Sequence, residues 1–144
     1  MKIIICGSIT AAKEILDIKS KLEKAGYEVE VPHGVKHKEY WERTELPSAE
    51  KADDKIKNDL IRGYYEKIKE YDVVLVVNVD KRGIKNYIGG NTFLEMGFAH
   101  VLNKKLYCLN PLPDLPYTSE LAAMQPIIIN SDLGLIKQNP PQGF

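Results

Sequence analysis

The chain is poor in the residues that announce a specialised class: two cysteines and one tryptophan in 144 residues, with twenty basic side chains cancelled by twenty acidic ones. Each shortage excludes something. Cys6 and Cys108 each fall in an apolar run that reads as a strand, which suits buried, reduced thiols better than a disulfide or a metal cluster. Zero net charge supplies no long-range positive field for a nucleic-acid backbone or an anionic membrane, so the expected ligand is a small molecule. No apolar run reaches the roughly 20 residues that span a bilayer. Met1 leads straight into Ile3-Ile4-Ile5-Cys6, without the basic start and long apolar region of a signal peptide, and a cytoplasmic protein is expected. Internal repeats and low-complexity segments are also missing.

What is present is 44% apolar residues, enough for one domain with a real core, expected over residues 1–137. Residues 138–144 read as a tail, either poorly ordered or docked on a neighbouring subunit. Strands are expected at 2–6, 27–31, 73–78, 106–109 and 127–129, from short runs that are apolar or rich in β-branched residues. Between them lie helical patterns: Ile15, Ile18 and Leu22 on one face, closed by Gly26; a long helix from Ser48 with Ile56, Leu60, Tyr64 and Ile68 at four-residue spacing; residues 91–103; and residues 119–124. Strands alternating with helices predict an α/β fold. The expected architecture is a single flavodoxin-like (Rossmann-like) domain with a five-stranded parallel sheet, order 2-1-3-4-5, and helices on both faces. Residues 32–47 lack a clear period, and His33, His37, Tyr40, Trp41 and Arg43 there suggest a ligand-facing lid.

In that strand order, the loops leaving strands 1 and 3 diverge and open a crevice at the carboxyl edge of the sheet. Two glycine-bearing loops fall there, Gly7-Ser8 with Ile9, and Gly89-Gly90-Asn91. The second opens the stretch Thr92-Phe93-Leu94-Glu95-Met96-Gly97, which places a carboxylate about one turn inside a helix beside the crevice. The unpaired N–H groups at such a helix start keep a nearby carboxylate ionised. Glu95 is therefore the candidate nucleophile, and Asp59, on the long helix, stands level with the crevice as its candidate partner. Gly7, Ser8, Ile9, Trp41, Asp80, Gly89, Gly90 and Asn91 are the candidate ligand contacts. Plainer roles compete. Thr92 and Glu95 have the spacing of a capping box, Ser8 of a helix cap, Asp59 sits beside the apolar stripe like a solvated carboxylate, and Asp80 suits a turn with Lys81, Arg82 and Gly83. Trp41 and Tyr40 either stack on a base or pack against a neighbouring subunit; Tyr87 either seals the pocket or fills a gap beneath it.

These residues resemble the nucleoside 2-deoxyribosyltransferase superfamily, which includes the deoxynucleoside 5′-monophosphate N-hydrolases. Ile5-Cys6-Gly7-Ser8-Ile9 looks like its opening motif, which lies against the sugar and, in the hydrolases, the 5′-phosphate. Asn58-Asp59-Leu60 resembles the segment with a base-contacting aspartate, Glu95-Met96-Gly97 the catalytic Glu-x-Gly, and Lys104-Lys105-Leu106-Tyr107 the basic turn and strand that follow. The chain departs at Gly89, where the family usually carries an aspartate or serine that contacts the sugar. Its spacing also matches Tyr64, rather than Asp59, to the base-contacting position, and Ala122 falls where a neighbouring subunit is expected to donate a polar group. The resemblance implies cleavage of the N-glycosidic bond of a nucleoside or nucleoside monophosphate by deoxyribosyl transfer or hydrolysis, with Glu95 as nucleophile and Asp59 or Asp80 assisting the departing base. It implies a homodimer or higher homo-oligomer, no cofactor and no metal; His33, His37 and His100 show no ligand spacing of their own. A non-catalytic nucleotide-binding or sensor protein on the same fold is the alternative.

Overall fold

The computed structural model describes residues 1–37, 56 and 59–136. Trp41 and the rest of the expected lid from residue 38 on, residues 48–55 and 57–58 of the helix expected from Ser48, and the tail lie outside the described residues. Five parallel strands, β1 (Lys2–Cys6), β2 (Glu28–Glu30), β3 (Val73–Val76), β4 (Lys105–Cys108) and β5 (Ile127–Ile128), form one sheet of order β2-β1-β3-β4-β5. The order is the one the sequence predicts. Register aligns Cys6 with Val76 and Val76 with Cys108 across the three central strands.

Both faces of a parallel sheet are covered, which is why β1 and β3 read as continuous apolar runs rather than alternating ones. Side chains still alternate in direction along each strand. Ile3, Ile5, Val73, Leu75 and Tyr107 join helix α1 (Ala12–Lys24) through Ile15, Ile18 and Leu22. Ile4, Cys6, Val74, Val76 and Cys108 form the second cluster, with α3 (Leu60–Lys69), α4 (Gly90–Val101) and α5 (Thr118–Ala123). A short helix, α2 (His33–Lys36), opens the segment read as irregular. Helix α1 ends as expected, with Gly26 at φ 99° while Tyr27 N–H bonds back to the Leu22 carbonyl at 3.1 Å.

The helix before β3 differs from its expected form. Asp59 adopts a left-handed conformation, φ 47° and ψ 44°, and the helical run that delivers β3 starts after it at Leu60. Tyr64 and Ile68 are buried as the stripe predicts, but Ile56 is 77% exposed. The four-residue spacing of apolar residues thus continues through a point where the backbone turns. No helix of the described residues is long and apolar enough to cross a membrane.

Candidate functional site

β1 and β3 are central neighbours, and the chain leaves them towards opposite flanks, β2 and β4. Their carboxyl ends define the crevice. After β1, Gly7 passes so close to β3 that an added Cβ would lie 3.2 Å from the Val77 carbonyl oxygen and 3.1 Å from Ile15 Cδ1. Ser8 follows in an extended conformation, and its Oγ accepts from Thr10 N–H at 3.3 Å, capping the 3-10 turn Ile9–Ala11 that runs into α1. The same oxygen receives Lys81 Nζ at 3.1 Å, so the loop after β1 is tied to the loop after β3. Ile9 is half-buried beside this junction.

Glu95 lies on α4 and is 7% exposed. Gly89 is the N-cap of α4, with no side-chain cap, and Phe93 N–H bonds to the Gly89 carbonyl at 2.9 Å. Thr92 therefore sits inside the helix, and the capping box that competed as a reading of Thr92 and Glu95 does not form. Glu95 is held differently. Asn91 Nδ2 donates to its Oε2 at 3.4 Å, one turn back along the helix. The Cys6 thiol, at the end of β1, lies beside its carboxylate. Burial pushes the Cys6 thiol well above its ordinary pKa, and the charge and hydrogen bond of Glu95, followed by Cys108, push it further. Cys6 is thus a neutral thiol at neutral pH. Burial likewise raises the Tyr64 hydroxyl, with the charges of Cys6 and Glu95 next, and this hydroxyl donates to the Ile5 carbonyl.

The remaining candidates separate. Asp59 sits at the start of α3, and its side chain is 62% exposed and 3.5 Å from Arg62. The sequence placed it on a continuous helix, level with the crevice; the chain instead turns at this residue, and the side chain is largely exposed. Asp80 accepts from Asn86 N–H at 2.9 Å and braces a loop in which Lys81 and Ile84 bridge, the turn-forming role. Gly89 is half-buried, and Gly90 and Asn91 are exposed at the first turn of α4. Gly7, Ser8, Cys6, Glu95 and Asn91 are gathered at one edge; Asp59 is not buried with them.

Sequence reasoning gave no weight to three residues at this edge. Lys81 entered only as part of a turn with Asp80. Asn78, fully buried, bonds to Asn110 and Pro111 beyond β4. Tyr117 donates to the Ile88 carbonyl and stacks on Phe93 at 4.9 Å between ring centroids, roofing the entry to α4. A surface hollow of about 240 Å³ lies at the opposite edge of the sheet, lined by His100, Lys104, Lys105 and Gln125 among others, and contains no candidate residue. Among the described residues, no group of three or more His, Cys, Asp or Glu is placed to hold a metal ion.

No protein-family model matches the chain, and no curated protein matches it.

Proposed function

We propose that this protein cleaves the N-glycosidic bond of a nucleoside or nucleoside monophosphate in the cytoplasm, with Glu95 as nucleophile. The observation that carries the reading is a glutamate only 7% exposed at the carboxyl edge of β1, with the Asn91 amide and the Cys6 thiol beside its carboxylate. Breaking a glycosidic bond builds positive charge on the anomeric carbon, and a fixed carboxylate beneath the sugar stabilises that charge or bonds to it. Water as acceptor gives hydrolysis; a second base gives deoxyribosyl transfer. The resemblance to the nucleoside 2-deoxyribosyltransferase superfamily points the same way. Asp59, in solvent beside Arg62, adds no support, so the chemistry rests on Glu95.

A homo-oligomer fits the surface. Leu94 and Val101 on α4, 47% and 77% exposed, and Ile61 on α3, 42% exposed, are apolar side chains that a second copy would cover. The alternative is a nucleotide-binding or sensor protein without turnover. The same 7% exposure of Glu95 favours it, because a carboxylate so enclosed requires local opening before it can attack.

Incubation with a panel of nucleosides and 5′-monophosphates, followed by chromatography for free base, decides between them. Base release that is lost in Glu95→Gln supports the enzyme. Binding without release supports the sensor.

A further inference from the structure

Glu95 is 7% exposed, yet the residue whose amide reaches its carboxylate, Asn91, is exposed. The two lie four residues apart on α4, and they meet because helical side chains lean towards the amino end. Glu95 is thereby brought over the preceding turn. In that turn Gly90 has no side chain, Thr92 is buried and Phe93 stacks on Tyr117, while Asn91 presents Nδ2 to Glu95 Oε2 at 3.4 Å. Cys6, also beside the carboxylate, is fully buried, whereas Asn91 meets solvent. The amide therefore stands on the side from which a ligand approaches.

An asparagine here does little for the helix. Gly89 is the N-cap, so Asn91 is the second helical residue, and its side chain points along α4 rather than back over the start. Asparagine is a weak helix former, and an aspartate or glutamate at this place would suit the positive end of the helix dipole better. The first turn contains no acidic residue. A carboxylate there would stand one turn from Glu95 and repel it; a lysine or arginine would pair with Glu95 and quench its charge. A neutral amide does neither. It orients one oxygen and leaves the negative charge to meet an electron-poor carbon.

We infer that Asn91 is a positioning residue for Glu95, whose amide fixes the carboxylate for attack without neutralising it. This rests on the glycosidic reading above and adds a residue to the same site. In the step concerned, an oxygen of Glu95 bonds to the anomeric carbon while the carbon–nitrogen bond breaks, and its electron pair leaves with the base, which takes a proton from water. Positioning acts on this step, and so on kcat; a ligand contact acts on KM.

The test measures steady-state base release and urea denaturation for the full chain, Asn91→Ala and Asn91→Asp. Asn91→Ala is expected to lower kcat by about tenfold with KM within about twofold. Asn91→Asp keeps the shape and favours the helix start, so its urea midpoint is unchanged or raised, yet its kcat falls by about 100-fold. A role confined to the helix predicts full activity in Asn91→Asp, and that result overturns the inference. An unchanged kcat in Asn91→Ala does so too, as does a loss carried by KM, which makes Asn91 a ligand contact. The side-chain amide signals of Asn91 in a nuclear magnetic resonance spectrum, identified by their loss in Asn91→Asp, give a readout that needs no turnover. They are expected to move in Glu95→Gln, and signals that stay in place overturn the contact itself. In each of these failures the parent still releases base and the glycosidic reading stands; if the parent releases none from any nucleoside or 5′-monophosphate, both fall.

Discussion

Asn78 and Asn110 hold each other's backbones. Asn78 Nδ2 donates to the Asn110 carbonyl at 2.8 Å, its Oδ1 accepts from Asn110 N–H at 3.0 Å, and Asn110 Nδ2 returns a bond to the Asn78 carbonyl at 2.9 Å. The clamp closes just past the carboxyl ends of β3 and β4, where ladder bonds have run out. It fixes the start of the loop that carries Lys81, Tyr87 and the entry to α4.

Removing that clamp is expensive because Asn78 is fully buried and its backbone partners would lose their bonds without gaining water. Asn78→Ala should therefore lower the unfolding free energy by about 2–4 kcal/mol. Urea denaturation measures it, and a loss under 1 kcal/mol would show that water replaces the amide at about full value.

Glu95→Gln keeps the shape and the Asn91 neighbour but removes the charge. Base release should fall by about 10³-fold or more, while the urea midpoint shifts little. Activity that survives the substitution would remove Glu95 from the reaction. By contrast, Asp59→Asn changes an exposed side chain and should alter stability by less than about 0.5 kcal/mol.

The two thiols are buried and free. They lie in register two strands apart, about 9.6 Å at the usual strand spacing, too far to bridge. A chromogenic thiol reagent should titrate neither in the native protein and both in denaturant. Alkaline pH exposes the same burial. Desolvation lifts folded Cys108 to about 12, so it keeps its proton where the unfolded thiol has lost its own. Its stabilising contribution is whole below about pH 8.5 and declines as pH rises above it, by at most about 1.4 kcal/mol per unit. Cys108→Val should flatten that decline between pH 9 and about 11. An equally steep decline in the variant would assign it to other groups.

Acid acts through Glu30. Burial opposes its ionisation, but Lys36 Nζ at 2.6 Å, Lys67 Nζ at 3.0 Å and the Val31 N–H outweigh this and hold its carboxyl below the ordinary value. The contribution is whole above about pH 4.3 and is lost as pH falls through the lower folded value. Lys67→Met should shallow the acid limb of a stability profile, and an unchanged limb would show that the bridge from β2 to α3 contributes nothing there.

Much of the architecture was legible because its signals are local. The β-branched run at 73–76 marks a buried parallel strand, Gly26 a helix end, and the alternation of the two periods a doubly wound sheet, whose flavodoxin-like strand order is the one observed. The break at Asp59 was not legible. Apolar spacing from Ile56 to Ile68 is the same whether the helix is continuous or turns once, and only packing reveals that Ile56 faces solvent. The start of α4 left two readings open for a related reason. Thr92 and Glu95 have capping-box spacing, yet the phenol of Tyr87 takes the place beside Gly89 and the helix begins earlier.

By itself, the sequence determined a five-stranded parallel sheet and brought its glycine loops to one edge, because hydrophobic period and chain direction are properties of neighbouring residues. Tertiary structure alone decided that Glu95 meets the Cys6 thiol, that Lys81 reaches Ser8, and that Asn78 grips Asn110. Each of these contacts joins residues far apart in the chain. Their closeness depends on strand register and helix rotation, which no local pattern of residues specifies.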